Sequence, residues 1–213
     1  MKKIDESFKK SDISPILINI LKAVLETKNL NDLLSEIRQK LSNIIEVRNF
    51  YVALFDEKKD MLNFVYHQDE KIRFKQYPAA KTLTGYVIKT GKPLFADEEI
   101  QESLRSRGKI GRASEPDFEA KVWIGIPLKT AEKTIGAVSV QSYDDPKAFS
   151  KKDMQLLELV SNTIALAIMR KQSEDALKES EEKFRTLYDN LTVGLYRTCL
   201  LYTSDAADEE DSV

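Results

Sequence analysis

A chain of 213 residues with 42% hydrophobic and 32% charged side chains has room for one ordinary domain plus added elements, and is too apolar to be a disordered chain. Its formal charge of −2 gives no electrostatic reason to expect nucleic acid or an anionic membrane as partner. The single cysteine, Cys199, excludes an internal disulfide framework and a cysteine-rich metal centre.

The first stretch, residues 1–13, is a polar segment, and the apolar run after it is interrupted by Asn19 and Lys22. That pattern is neither a signal-peptide core nor a membrane span, so a cytoplasmic location with no membrane span is expected. Pro15 stands in a first-turn position, and Leu17, Ile20, Leu21, Val24 and Leu25 recur at helical spacing, which predicts a helix over 14–27. Asn31 is placed to cap a second helix carrying Leu34, Ile37, Leu41 and Ile44. RNFYVALF at 48–55 and MLNFVYH at 61–67, joined by DEKKD, read as a β-hairpin. His67 is the only histidine, and no cysteine in this region or second histidine can join it in a metal site.

Residues 82–91, TLTGYVIKTG, predict a short helix closed by Gly91, with Pro93 just beyond. A short edge strand follows at 92–96, and a polar stretch at 97–107 has helical spacing at Ile100 and Leu104. Residues 108–117 hold two glycines and a proline, and form a long irregular region of the kind in which ligands are gripped. Two β-rich runs, 122–128 and 134–140, flank a polar link too short for a crossover helix and predict a central hairpin. Both faces of these runs are nearly all apolar, so the hairpin should be covered on both sides. Gly125, Pro127 and Gly136 interrupt them, where glycine marks close backbone approach and proline a missing ladder donor.

Ser150, with Asp153 three residues on, opens the last helix. Leu157, Val160, Ile164 and Ile168 form one stripe. Leu156, Leu159, Thr163, Leu166, Arg170, Ser173, Leu177, Ser180, Phe184 and Leu187 form a second at 3–4 spacing. One stripe can cover the sheet and the other a second copy of the chain, which predicts a homodimer through the C-terminal helix. No phosphate loop, HExxH, paired-cysteine spacing or GxSxG is present, so catalysis by this chain is not expected.

The succession TGYVIKTGKPLFADE, WIGIPLK, IGAVSVQSY and FSKKDMQLLELVSNTIALAI resembles a bacterial GAF domain over about 14–171. The resemblance implies an α+β fold: a GAF-like antiparallel six-stranded sheet with terminal helices on one face, a small-molecule pocket on the other, and a long C-terminal helix. It also implies a regulatory role. Phytochrome-like members attach a bilin to a cysteine, and none occurs within 14–170, so a covalent bilin is not expected and the cofactor is unknown. The NKFDE set of cyclic-nucleotide-binding members has no counterpart here. GAF-type methionine sulfoxide reductases need cysteines this domain lacks. A haem would have only His67 as a histidine ligand.

After the domain at 14–170 and a signalling-helix linker at 171–183, SEEKFRTLYDNLTVGLYRT resembles the opening of a PAS domain, placed at 184–198 and truncated. That order is usual in sensor histidine kinases and cyclase-type signalling proteins. The tail at 199–213 begins CLLYTSDAADE, which over 199–209 resembles an in-frame translation of a transposon-end sequencing adaptor. Without 199–213, which hold five acidic and no basic side chains, the formal charge moves from −2 to +3.

Candidate pocket residues are Phe95, Trp123, Gly125, Ser139 and Gln141, with Arg112 as a polar anchor from the irregular region. Trp123 and Gly125 share a strand face, as do Ser139 and Gln141. Trp123 serves equally well as core. Two function classes follow: a sensory module that binds a small molecule and relays through the last helix, as in a sensor histidine kinase, and a ligand-free module for dimerisation and spacing. A regulatory domain of a cyclic-dinucleotide or transcription-control protein is a further alternative.

Overall fold

The computed structural model describes residues 18, 29–112 and 119–207, with 190–207 described by backbone alone. The predicted N-terminal segment, the helix predicted at 14–27, part of the irregular region and the end of the tail lie outside the described residues.

Helix α1, Leu30–Leu41, begins two residues earlier than its spacing suggests, because Asn29 is the cap and accepts from Asn31 N–H at 2.8 Å. Asn29 is extended, so its carbonyl and side chain can both serve the first turn. Leu33, Leu34, Ile37 and Leu41 are buried on one face, and Ile44 lies in the turn beyond the helix rather than within it. Six strands follow: β1 Asn49–Asp56, β2 Met61–Gln68, β3 Gln76–Pro78, β4 Leu94–Asp97, β5 Val122–Lys129 and β6 Thr134–Ser142. They pair antiparallel in the order β3-β2-β1-β6-β5-β4. Helices α2, Leu83–Thr90, and α3, Glu98–Ser106, flank β4 in sequence, and α4, Lys151–Ala207, closes the chain.

Period-two alternation divides the sheet into two apolar faces. Phe50, Val52, Ile124, Ile126, Val138 and Val140 pack with α1 and with Leu157, Val160, Ile164 and Ile168 of α4. The neighbouring residues Tyr51, Ala53, Trp123 and Ala137 point to the other face, with Val87 and Ile88 of α2. This double cover is why the central hairpin reads as apolar on both sides.

Local signals placed most elements correctly. Gly91 caps α2 in the left-handed conformation at φ 61°, which costs a residue without Cβ little. Ser150 donates from its N–H and its hydroxyl to Asp153 Oδ2, at 2.6 and 2.7 Å. The three-residue β3 gave no local signal, being too short to show alternation and held by its register against Met61–Asn63 of β2.

The chain divides into two compact units, residues 1–168 and 169–213. In the first, α4 contributes the buried stripe, together with Leu156, which the spacing had assigned to the partner-facing stripe. Leu156 sits beside Leu157 in the early turns, where the core takes both neighbours. In the second unit the described backbone, 169–207, is helical throughout, including 184–198, where the PAS resemblance implies entry into a strand. A lone strand leaves its backbone groups unpaired, whereas a helix satisfies them within itself. Exposed i,i+4 ion pairs, Arg170–Glu174, Lys171–Asp175 and Glu179–Lys183, lie along it and, being open to solvent, each add little. Among the described residues no helix is long and apolar enough to cross a membrane.

Candidate ligand pocket

On the sheet face opposite α1 and α4, Tyr51, Ala53, Ala96, Trp123 and Ala137 pack with Val87 and Ile88 of α2. A cavity of about 280 Å³ lies there. The sheet supplies Tyr51, Trp123 and Gln141, and Tyr143 follows just past β6. An aromatic wall comes from Phe64 of β2, with Phe74 edge-on to it at 5.5 Å and Tyr77 stacked on Phe74 at 4.7 Å. The remaining wall comes from the start of α2, from α3, and from residues 110–112 and 119–120.

The polar groups of the sheet side are tied into two networks. Trp123 Nε1–H donates to the Tyr51 hydroxyl at 3.0 Å, and that hydroxyl lies 2.8 Å from the Thr84 hydroxyl on α2. Burial pushes the Tyr51 pKa upward, partly opposed by its hydrogen bonds, so this hydroxyl stays protonated. The second network centres on Asp69, only 7% exposed. Its Oδ1 accepts from Lys71 N–H and Ile72 N–H at 2.9 Å and from the Tyr143 hydroxyl at 2.9 Å; its Oδ2 accepts from Gln141 Nε2 at 2.7 Å. Gln141 Nε2 also donates to the Tyr143 oxygen at 2.7 Å. Burial, followed by the neighbouring Asp69 charge, drives the Tyr143 pKa far upward, so Tyr143 acts here as a donor.

The opposite wall is charged. Arg105 reaches Glu102 at 3.3 Å and Glu119 at 3.1 Å. Lys81 adopts a left-handed backbone at φ 62°, a conformation that costs a residue with a side chain about 1–2 kcal/mol. Its carbonyl accepts from Gly111 N–H at 2.7 Å and its ammonium donates to the Gly108 carbonyl. These two bonds hold the described end of the irregular region, Gly108 to Arg112, against the entry to α2, and place Arg112 on the cavity wall.

Of the six residues singled out from sequence, Trp123, Gln141 and Arg112 line the cavity. Trp123 is also core, being only 1% exposed. Gly125 lies beneath the indole: a Cβ there would fall 1.9 Å from Trp123 Cη2, so its role is to admit the ring. Ser139 is on the same face but buried below the cavity, its hydroxyl donating to the Ile124 carbonyl at 2.9 Å. Phe95 is a correction. It pairs with Ile124 in the ladder and packs with the helix-side core, because alternation along β4 sends it to the opposite face from Ala96. Sequence reasoning missed Tyr51, Phe64, Asp69, Lys81 and Tyr143. Asp69 carries a local turn signal in its bonds to Lys71 and Ile72, yet nothing local shows that Gln141 and Tyr143 converge on it. His67 is not among the cavity-lining residues, and no cluster that could hold a metal ion occurs among the described residues.

The family model described as GAF domain matches residues 27–169. The nitrogen fixation protein AnfA of Azotobacter vinelandii is 26% identical over 156 residues, which is 71% of this chain and 28% of that protein. The chain thus spans little more than a quarter of that curated relative. Among solved structures, the GAF domain of an Acinetobacter phosphoenolpyruvate-protein phosphotransferase matches with a TM-score of 0.62 at 14% identity, over 79% of this chain and 99% of that one. The free methionine-R-sulfoxide reductase of Neisseria meningitidis, in complex with its substrate, matches with a TM-score of 0.61 at 14% identity, over 82% and 98%. At these identities the likeness speaks to fold.

Proposed function

From the premise that this chain belongs to the GAF domain family, we propose that it is the sensory module of a multidomain signal-transduction protein, binding a small molecule and relaying its presence through α4. The observation that carries this reading is the cavity on the sheet face away from the helical core, lined by aromatic side chains and a few converging polar groups. The Neisseria reductase, with the same fold, was solved with its substrate bound, which supports a binding role for a domain of this shape. We read the chain as a binding module without catalysis of its own, acting in the cytoplasm with a sensor histidine kinase or a transcription-control protein as the whole. Residues 184–198 are read as the opening of a PAS domain and 199–209 as translated adaptor. Sequencing the gene independently past Thr198 tests both: an unchanged CLLYTSDAADE sinks the adaptor reading, and a continuation without PAS-like strands sinks the other.

A ligand that binds only the folded state raises apparent stability by RT ln(1 + [L]/Kd), about 2.7 kcal/mol at a hundredfold excess over Kd. A thermal-shift screen of nucleotides, haem and small metabolites against the 213-residue chain should therefore find a stabiliser that also alters emission from the single tryptophan, Trp123. If nothing in the screen raises the melting temperature, the sensory reading gives way to the ligand-free module.

The relay is proposed to run through a parallel homodimer. Leu166, Leu177, Phe184 and Leu187 continue at heptad spacing while 59%, 62%, 71% and 62% exposed. A helix of this polarity has little stability of its own in water, and a second copy supplies the missing apolar cover. A small shift of the paired helices is then a signal that a following domain can read. Analytical ultracentrifugation of the chain should show a dimer. Leu166→Glu with Leu177→Glu should make it a monomer with an unchanged far-UV spectrum. A monomeric parent at high micromolar concentration contradicts the pairing.

A further inference from the structure

We propose that the cavity takes a single-ring aromatic monocarboxylate bearing a hydroxyl or amino donor away from its carboxylate, an assignment that rests on the sensory reading above. Three observations on different parts of the wall converge on this class.

The first is charge. Among the described residues, no carboxylate lies within ion-pair distance of Lys81 or Arg112, whereas Arg105 is engaged by Glu102 and Glu119. The Lys81 ammonium meets the Gly108 carbonyl, which satisfies a donor and cancels no charge. Among the described residues these two cations on the wall thus lack a counter-charge, which favours an anionic ligand and disfavours a cationic one. A carboxylate meets an arginine with two parallel hydrogen bonds, which fixes its orientation as well as its place.

The second observation is an unpartnered acceptor. Gln141 is 6% exposed, and its neighbour Asp69 can only accept, so the amide nitrogen must be the atom pointing at it. That nitrogen's two hydrogen bonds go to Asp69 and to the Tyr143 oxygen. The oxygen has no partner among the described residues and is the end of this side chain left for the cavity. A ligand that brings a donor to it gains a hydrogen bond.

The third is shape. The same cavity is lined by Phe64, Phe74 and Tyr77, arranged edge-to-face and stacked, which suits a flat ring laid against them. The volume of about 280 Å³ is at or below the roughly 300–1,000 Å³ typical of drug-sized sites. That is room for one ring with its substituents.

The test is calorimetric titration of the whole chain with 4-hydroxybenzoate, benzoate and phenol. The expected order places 4-hydroxybenzoate tightest, with benzoate (no donor) and phenol (no carboxylate) each weaker by about tenfold, the size of one charge-assisted or buried hydrogen bond. Arg112→Met should weaken both acids about tenfold and leave phenol unchanged. Gln141→Met should erase the difference between 4-hydroxybenzoate and benzoate. The comparison of the three probes on the unaltered chain does not depend on either variant folding. Phenol binding as tightly as 4-hydroxybenzoate, or no response of the acids to Arg112→Met, overturns the assignment. So does failure of both acids while a neutral metabolite from the broad screen stabilises the chain, an outcome that leaves the sensory reading standing. Failure of every compound in that screen removes the sensory reading itself, and this assignment with it.

Discussion

Replacing Asp69 by alanine should cost about 4 kcal/mol and lower the melting temperature by about 8–16 °C, at ~2–4 °C per kcal/mol for a chain of this size. Four donors converge on this one carboxylate: two backbone N–H groups, the Tyr143 hydroxyl and the Gln141 amide. Truncation strips all four at once. The half-buried Tyr143 hydroxyl loses its acceptor and the buried Gln141 amide nitrogen keeps only its bond to the Tyr143 oxygen, each loss worth about 1–3 kcal/mol, while the two N–H groups nearer the surface recover part of theirs from water. Asp69→Asn separates charge from hydrogen bonding. Its remaining oxygen can keep the partners of Oδ1, and Gln141 can turn its amide to meet the new NH₂, so the loss should fall below half that of alanine. That turn would aim the Gln141 nitrogen at the cavity and reverse its preference from donors to acceptors. Differential scanning calorimetry of both variants decides the matter: an alanine variant melting within about 2 °C of the parent would show that the network is not structural.

Gly125→Ala is expected to destabilise by about 3 kcal/mol and to close the pocket. Its new Cβ would lie 1.9 Å from Cη2 and 2.5 Å from Cζ3 of Trp123, far inside contact distance, so the indole must move. Overpacking of this kind costs about 1–3 kcal/mol. Tilting the ring also breaks the bond from Trp123 Nε1 to Tyr51, which adds about 1 kcal/mol. The space available to the displaced ring is the cavity itself. The variant should therefore lose ligand binding, melt about 6–12 °C lower, and show shifted Trp123 emission, since this is the only tryptophan. Crystallography or emission spectra showing an unmoved indole would contradict this reading of Gly125 as the seat of the ring.

The two substitutions differ in how far they could be foreseen. Gly125 is conspicuous in sequence because it interrupts a β-rich run, and Trp123 two positions away shares its face by strand alternation alone. What the glycine accommodates was not foreseeable, because the indole could have turned along the strand in either direction. Asp69 looks in sequence like a turn residue, and locally it is one. Its larger role depends on Gln141 and Tyr143, more than seventy residues later, reaching the same point through the β1–β6 pairing of Asn49 with Gln141. Phe95 shows the reverse failure. Its apolar ring is equally at home on either face of an edge strand, and only the ladder pairing with Ile124 sends it to the helical core.

What the sequence by itself determined is everything governed by neighbours along the chain. The turn of α2 into the left-handed cap at Gly91, the Ser150–Asp153 start of α4, the buried stripe at Leu157, Val160, Ile164 and Ile168, and the central hairpin all follow from hydrogen bonds or spacings within a few residues. Tertiary structure decided what has no local energy to announce it. The three residues of β3 become a strand only because β2 offers them an edge, and Lys81 holds a left-handed backbone only because Gly108 and Gly111 are brought to it. The cavity itself belongs to this second class. A void is defined by what several distant segments fail to fill, and no stretch of one chain segment encodes that alone.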